Sequence, residues 1–235
     1  MSWSPRYPEL AASLWKYLRA PEPAEVLERA EEVHPGIHCF ELVPADLCAK
    51  LCEELEAYEA WLAEQPADEQ APNSMHHYGV TLEQLGYARA AEELLARLVR
   101  PLAARLYPEL FETPDAAELG EVYGFAVAYG PLHDRALGFH VDDSDVTLNL
   151  CLGERFEGSE LYFLGRRCAR HRQDPERAGE DVDLVHRPGW AVLHAGAHRH
   201  GVYPLVRGLR RNLLLWCQTP RDRQDASAPC PVWCR

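Results

Sequence analysis

The hydrophobic period of this chain changes at Glu121, and that change limits the fold more than any other feature. Upstream, apolar residues recur at three- and four-residue steps. Downstream they alternate. Val122–Tyr129, Val146–Leu152, Glu160–Leu164, Trp190–His194, His200–Leu205 and Arg211–Cys217 read as short strands, separated by turn residues. Six closely spaced strands of this kind are best accommodated in a closed or sandwiched all-β unit, where few edges stay bare. The stretch Gly165–Pro188 is a charged connector between two of them.

The upstream half is helical in pattern. Leu47, Leu51, Leu55, Tyr58 and Leu62 fall on one face of a helix spanning 44–65, with Glu53, Glu56, Glu59 and Glu64 opposite, as on a solvated face. A second helix is expected from Leu82 to Leu106, ended or kinked at Pro101. Residues 23–33 suggest a short helix, Gly36–Val43 a strand, and the aromatic first 20 residues a segment packed on the domain. The expected organisation is one α+β domain with four parts: an N-terminal extension (1–35), a helical support region (36–120), a β core (121–218) and a tail (219–235).

Charge is uneven along the chain. Residues 1–120 carry 22 acidic and 9 basic side chains, and residues 121–235 carry 15 of each. An acidic coat of this size repels a phosphate backbone, so nucleic acid is not an expected partner. No apolar run is long enough to span a membrane, and no leader pattern opens the chain, which reads as cytoplasmic. In that setting most of the eight cysteines read as buried apolar residues. Cys230-Pro-Val-Trp-Cys234 supplies at most half a zinc site, and no role is the favoured reading for it.

Within the β half, His140 and Asp142 stand at i and i+2, which puts both on one face of a strand. A third ligand on a neighbouring strand would complete the two-histidine, one-carboxylate face that holds non-haem Fe(II) with open positions. His194, His198 and His200 compete for that place. His200 is preferred because Gly201-Val-Tyr-Pro204 follows it and Arg210 lies ten residues on, able to hold a dicarboxylate through two parallel hydrogen bonds. A zinc hydrolase would accept the same ligands but has no specific need of the arginine. His133, His171 and His186 lie in loops and read as solvated. Thr147, Asn149, Arg210 and Asn212 alternate against apolar neighbours, so they are candidates to line a polar pocket. Tyr129 could donate to a bound carboxylate.

The runs Gly138-Phe-His-Val-Asp-Asp-Ser-Asp-Val-Thr-Leu-Asn-Leu-Cys-Leu-Gly153, Phe156-Glu-Gly-Ser-Glu-Leu-Tyr-Phe163, Pro188-Gly-Trp-Ala-Val-Leu-His-Ala-Gly196 and Arg210-Arg-Asn-Leu-Leu-Leu-Trp216 resemble the 2-oxoglutarate/Fe(II) dioxygenases. The likeness is to the branch with prolyl 4-hydroxylases, collagen lysyl hydroxylases and the "2-oxoglutarate and iron-dependent oxygenase domain-containing" proteins. It covers most of residues 70–235 and does not reach the first 35.

The resemblance implies a double-stranded β-helix, or jelly-roll, buttressed by N-terminal helices. It implies Fe(II) on His140, Asp142 and His200, and 2-oxoglutarate on Arg210 and Tyr129, with Leu161 and Trp216 as pocket walls. O2 and ascorbate are expected co-reactants. The implied reaction releases succinate and CO2 and hydroxylates an unactivated C–H of a peptidyl or free amino-acid side chain of the Lys or Pro type. A small-molecule tailoring oxygenase and a non-catalytic 2-oxoglutarate or metal sensor are the competing readings. The carboxylate of Asp142 implies hydroxylation or desaturation, because relatives that halogenate lack it. Several relatives place a second tyrosine where Cys151 lies. Substrate contacts are expected from the loop 72–80, through Asn73, His76, His77 and Tyr78, and from Arg166 on the connector.

Overall fold

The computed structural model describes residues 2–19, 21–65, 71–111, 118–153, 155–220 and 230–234. Its helices are α1 (Pro8–Ala12), α2 (Pro23–Arg29), α3 (Ala45–Ala63), α4 (Ala88–Leu94) and α5 (Arg100–Leu106). The early strands are β1 (Glu31–His34), β2 (Ile37–Glu41) and β3 (Gly79–Thr81). The strands of the C-terminal half are β4 (Glu121–Tyr129), β5 (Leu137–His140), β6 (Val146–Gly153), β7 (Phe156–Gly158) and β8 (Leu161–Arg166), then β9 (Asp181–Leu184), β10 (Trp190–Ala195), β11 (His198–Val202), β12 (Leu205–Gly208) and β13 (Arg210–Gln218).

They form a seven-stranded sheet, β1-β2-β10-β6-β13-β4-β3, a four-stranded sheet, β5-β11-β8-β9, and the pair β12-β7. Every ladder is antiparallel. This is the α+β jelly-roll with helices on one face. The large sheet crosses the boundary expected at residue 121, since β2 pairs with β10 and β3 with β4. The helix expected over 23–33 stops at Arg29, because Glu31–His34 is drawn into the hairpin with β2 through a turn at Gly36, whose φ is +75°.

Pro101 does not end its helix. Leu95–Val99 widens into a π turn between α4 and α5. A π turn relieves the ring of Pro101 from the carbonyl it would otherwise meet and absorbs its missing N–H. Leu98, Val99, Leu102 and Ala103 therefore stay buried along one continuous face.

Alternation along the strands divides the protein into two apolar layers. Val146, Leu148, Leu150 and Leu152 of β6 join Leu213, Leu215 and Cys217 of β13 in the layer under the helices. Phe125, Val127 and Tyr129 of β4 face the other way, with Leu214 and Trp216 of β13 and Leu161 and Phe163 of β8, and fill the space between the sheets. Arg210 and Arg211 are neighbours on β13 and both are buried, yet they point into different layers. Arg211 meets Glu56 (3.4 Å) and Glu59 (2.7 Å) on α3. Two members of the glutamate face that reads as solvated thus anchor the helix to the sheet.

The N-terminal segment is held by a buried carboxylate. Glu54 of α3 is fully buried and accepts from the backbone N–H of Arg6 (2.8 Å) and Tyr7 (2.8 Å) and from the Tyr87 hydroxyl (3.0 Å). Trp3 donates to the Leu85 carbonyl and packs edge-on against Tyr58. Among the described residues no helix is long and apolar enough to cross a membrane. Glu54→Ala strands three buried donors and is expected to destabilise the protein by about 3 kcal/mol. Glu54→Gln, which keeps an acceptor oxygen, should cost less, and urea denaturation of the two variants checks the order.

Candidate metal centre

His140 ends β5, Asp142 lies two residues beyond, and His200 is central in β11, directly opposite His140 in the ladder between the two strands. One ligand atom from each of the three lies within 4.8 Å of the others. Nε2 of His140 stands 3.5 Å from Asp142 Oδ1, and Nε2 of His200 stands 3.7 Å from the same oxygen.

Tautomers follow from the backbone. Nδ1 of His140 donates to the Gly138 carbonyl (2.8 Å), and Nδ1 of His200 donates to that of His198 (3.0 Å). A proton on Nδ1 leaves a lone pair on each Nε2, and both face the same carboxylate oxygen. Burial brings His200 down to about 3, so its imidazole is neutral. Burial alone would raise Asp142, but His200, His140 and His194 around it hold it well below the ordinary carboxylate range. Two imidazole Nε2 atoms and one carboxylate are the donor set that suits a divalent iron.

The other Asp142 oxygen is already engaged. Thr147 Oγ1 donates to Oδ2 at 2.6 Å and sits 2.6 Å from Ser144 Oγ. His194 Nε2 is 3.7 Å from Oδ2, on the side away from the other two histidines' shared oxygen. His198 is buried but turns its Nδ1 to the Ala195 carbonyl and lies outside the triad. Of the three competing histidines, His200 is the one that shares Oδ1 with His140.

The loop that carries Asp142 needs one glycine. Asp142 N–H donates to the Gly196 carbonyl and Gly196 N–H to that of Asp145. A Cβ at 196 would overlap the Ser144 carbonyl, so only glycine lets the loop dock on the turn between β10 and β11.

A cavity opens beside the triad. His140, Asp142 and His200 line it together with His76, Tyr129, Asn149, Leu161, Arg210, Asn212, Leu214 and Trp216. Arg210 is fully buried. It donates through Nε to Asn212 Oδ1 (2.8 Å), through NH1 to the Ser159 carbonyl and hydroxyl, and through NH2 to His186 Nδ1 (3.0 Å). Among the described residues no carboxylate forms an ion pair with it. A buried cation with only neutral partners favours an anionic ligand. Trp216 Nε1 is a buried donor in the same wall with no acceptor among the described residues. The chemistry of the lining therefore suits an anionic ligand between the triad and Arg210.

Most of the residues expected here from the sequence line this cavity, but Thr147 does not; its hydroxyl serves Asp142 instead. Asn212 donates to Asn149 (2.6 Å), so the two amides hold each other. Tyr129 bonds His76 Nε2 (3.0 Å), and the Arg210 guanidinium lies 5.6 Å from its ring centre. Cys151 lies beside Arg210, and burial pushes its thiol up. His186 departs from the solvated reading. It is buried, donates through Nε2 to the Trp190 carbonyl, and presents Nδ1 to both Arg210 and Asn212. Nothing in the local sequence marks that role, because its partners lie 24 and 26 residues away.

The expected substrate residues separate. His76 lines the cavity, and burial lowers it to about 4. Asn73 caps the turn below it, accepting from the N–H groups of Met75 and His76. His77 and Tyr78 are exposed and line a wider groove with Tyr58, Glu59 and Ala128, on the opposite side of β4 from the triad. Arg166 pairs through NH1 with Glu109 (2.5 Å) and stacks on Trp233 (4.1 Å), away from the cavity, while its Nε and NH2 are buried with no hydrogen-bond partner among the described residues.

A family model for the OGFOD2-like domain matches residues 7–112, which extends the likeness into the segment where the sequence motifs give none. The 2-oxoglutarate and iron-dependent oxygenase domain-containing protein ICU11 of Arabidopsis thaliana is 39% identical over 86% of this chain and 51% of its own length. The human 2-oxoglutarate and iron-dependent oxygenase domain-containing protein 2 is 34% identical over 100% of this chain and 67% of its own. This chain thus spans about half of the plant relative and about two thirds of the human one. A crystal structure of a Pseudomonas putida prolyl-4-hydroxylase shares the fold, with a TM-score of 0.53 at 19% identity over 87% of this chain and 98% of that one. The human relative is matched along this whole chain at 34% identity, and the chain belongs to the family of 2-oxoglutarate and iron-dependent oxygenase domain-containing proteins.

Proposed function

We propose that this chain is an Fe(II)- and 2-oxoglutarate-dependent hydroxylase acting on an unactivated C–H of a peptidyl or free amino-acid side chain. The observation that carries the reading is Arg210, a buried guanidinium with no acidic partner among the described residues, lining the cavity into which His140, Asp142 and His200 face. The Lys or Pro class of substrate rests on the resemblance to prolyl and lysyl hydroxylases and is the part that product analysis must test.

Fe(II) held by the triad, with 2-oxoglutarate and O2, supplies an oxidative decarboxylation to succinate and CO2 that drives the hydroxylation. The chain's own residues do the holding. His140 and His200 offer Nε2 lone pairs fixed by their Nδ1–H bonds to backbone. Thr147 restrains Asp142 through Oδ2, which would leave Oδ1 for the ion. Arg210, kept in line by Asn212 and Ser159, would hold the distal carboxylate of 2-oxoglutarate. His186, with Nε2 donating to Trp190, stays neutral and accepts from the guanidinium, so no second cation competes for the ligand. Leu161, Leu214 and Trp216 keep water from that end of the cavity.

Purified protein supplied with Fe(II), 2-oxoglutarate, ascorbate and O2 is expected to release succinate, faster with a peptide containing its target side chain. His140→Ala and Asp142→Ala should abolish it, whereas a binding-only sensor would take up 2-oxoglutarate and release none. Arg210→Ala is expected to raise the 2-oxoglutarate KM by about 100-fold with iron binding intact, and Arg210→Lys to recover part of it. Thr147→Val should weaken Fe(II) binding by about 10- to 100-fold, with Thr147→Ser near wild type in a metal titration.

A further inference from the structure

Away from the cavity, four side chains from two distant stretches of sequence converge. Cys168 and His171 sit in the connector after β8, and Cys230 and Cys234 sit in the tail. One ligand atom from each lies within 4.8 Å of the others. Nδ1 of His171 is 3.3 Å from Cys168 Sγ, 3.5 Å from Cys230 Sγ and 3.5 Å from Cys234 Sγ. Cys168 Sγ and Cys230 Sγ are 3.9 Å apart.

Hydrogen bonding does not account for this arrangement. One ring nitrogen has either one proton or one lone pair, so it can serve one thiol and not three. Nor is it a disulfide, whose sulfurs lie about 2.05 Å apart. Tetrahedral zinc with bonds of about 2.3 Å to sulfur and about 2.0 Å to nitrogen sets neighbouring ligand atoms roughly 3.5–3.8 Å apart. The observed separations match those edges. A two-iron cluster would hold its ligand pairs at opposite ends, too far apart for this arrangement.

We propose that Cys168, His171, Cys230 and Cys234 form a structural zinc site of the three-cysteine, one-histidine type, which pins the tail to the connector after β8. The surroundings suit a bound, net-negative zinc thiolate centre. The Cys168 backbone N–H donates to Cys234 Sγ (3.2 Å), and Arg177 NH2 donates to the Cys234 carbonyl (3.1 Å). Arg166 stacks on Trp233, between the two tail cysteines' turn and Glu109 of the helical layer. All four ligands are used, so the site is closed, as in zinc centres that hold structure and do no chemistry.

The test separates this site from the iron triad. Full-length protein and a His140→Ala/Asp142→Ala background are purified, treated with a mild chelator and analysed for zinc by mass spectrometry. One zinc per chain is expected in both, lost in Cys168→Ser and in Cys234→Ser made in either background. In case those variants fail to fold, protein with the wild-type cysteines in the double-alanine background is stripped with an organomercurial, freed of mercury with excess thiol, desalted without air and titrated with Co(II). It should develop the intense visible bands of tetrahedral cobalt thiolate, saturating at one equivalent. Retention of zinc in both cysteine variants would overturn the proposal. So would a cobalt titration with no thiolate bands, or recovery of Cys230 in a disulfide.

Discussion

The parity of β13 governs both halves of this molecule. Arg210 and Arg211 are consecutive, so on a strand they must point to opposite faces. One enters the cavity, and the other reaches through the helical layer to Glu56 and Glu59. A slip of one residue in the ladders with β4 and β6 would exchange them. It would also turn Leu213 and Leu215 into the cavity and Asn212 out under the helices. The apolar alternation of β13 and the charge of α3 thus specify the register together, and the pocket inherits its cation from that choice.

Much of this was legible in the chain before folding. The alternation of β4, β6 and β13 separated polar from apolar faces, and the residues placed inward on that basis, Asn149, Arg210 and Asn212, line the cavity. The spacing of His140 and Asp142 reads as one face of a strand, but β5 ends at His140 and Asp142 reaches the same site from the loop beyond it. Thr147 alternates inward as expected but serves Asp142 and does not line the cavity, because that bond depends on how the loop 141–145 turns back. The π turn before Pro101 was invisible for a similar reason. A proline states what it cannot do, but not which widening of the helix will absorb it.

What sequence reading missed shares one cause: the partners are remote. His186 touches Arg210 and Asn212 across a strand and a loop. Cys168 and His171 meet Cys230 and Cys234 from about sixty residues away. The pair at 230 and 234 shows half of a tetrahedron, and the other half has a spacing that carries little signal alone. The run Arg166–Arg172 likewise suggests a surface for a ligand until folding assigns its members. Arg166 goes to Glu109 and Trp233, and Arg167 to both oxygens of Glu180. Two of the connector's arginines are therefore engaged within the fold.

The seam at Gly196 has a meaning for anyone who would redesign this pocket. Two pieces of backbone meet there, one bearing Asp142 and the other leading into the strand of His200, with no room for a side chain between them. Leu161, Leu214 and Val127 line the cavity with replaceable bulk, so its shape can be altered without moving the ligands. The seam admits no such freedom, since any side chain at 196 would push the carboxylate away from the imidazoles. New substrates can be sought by carving the walls, while the joint behind the metal ligands has to be inherited unchanged.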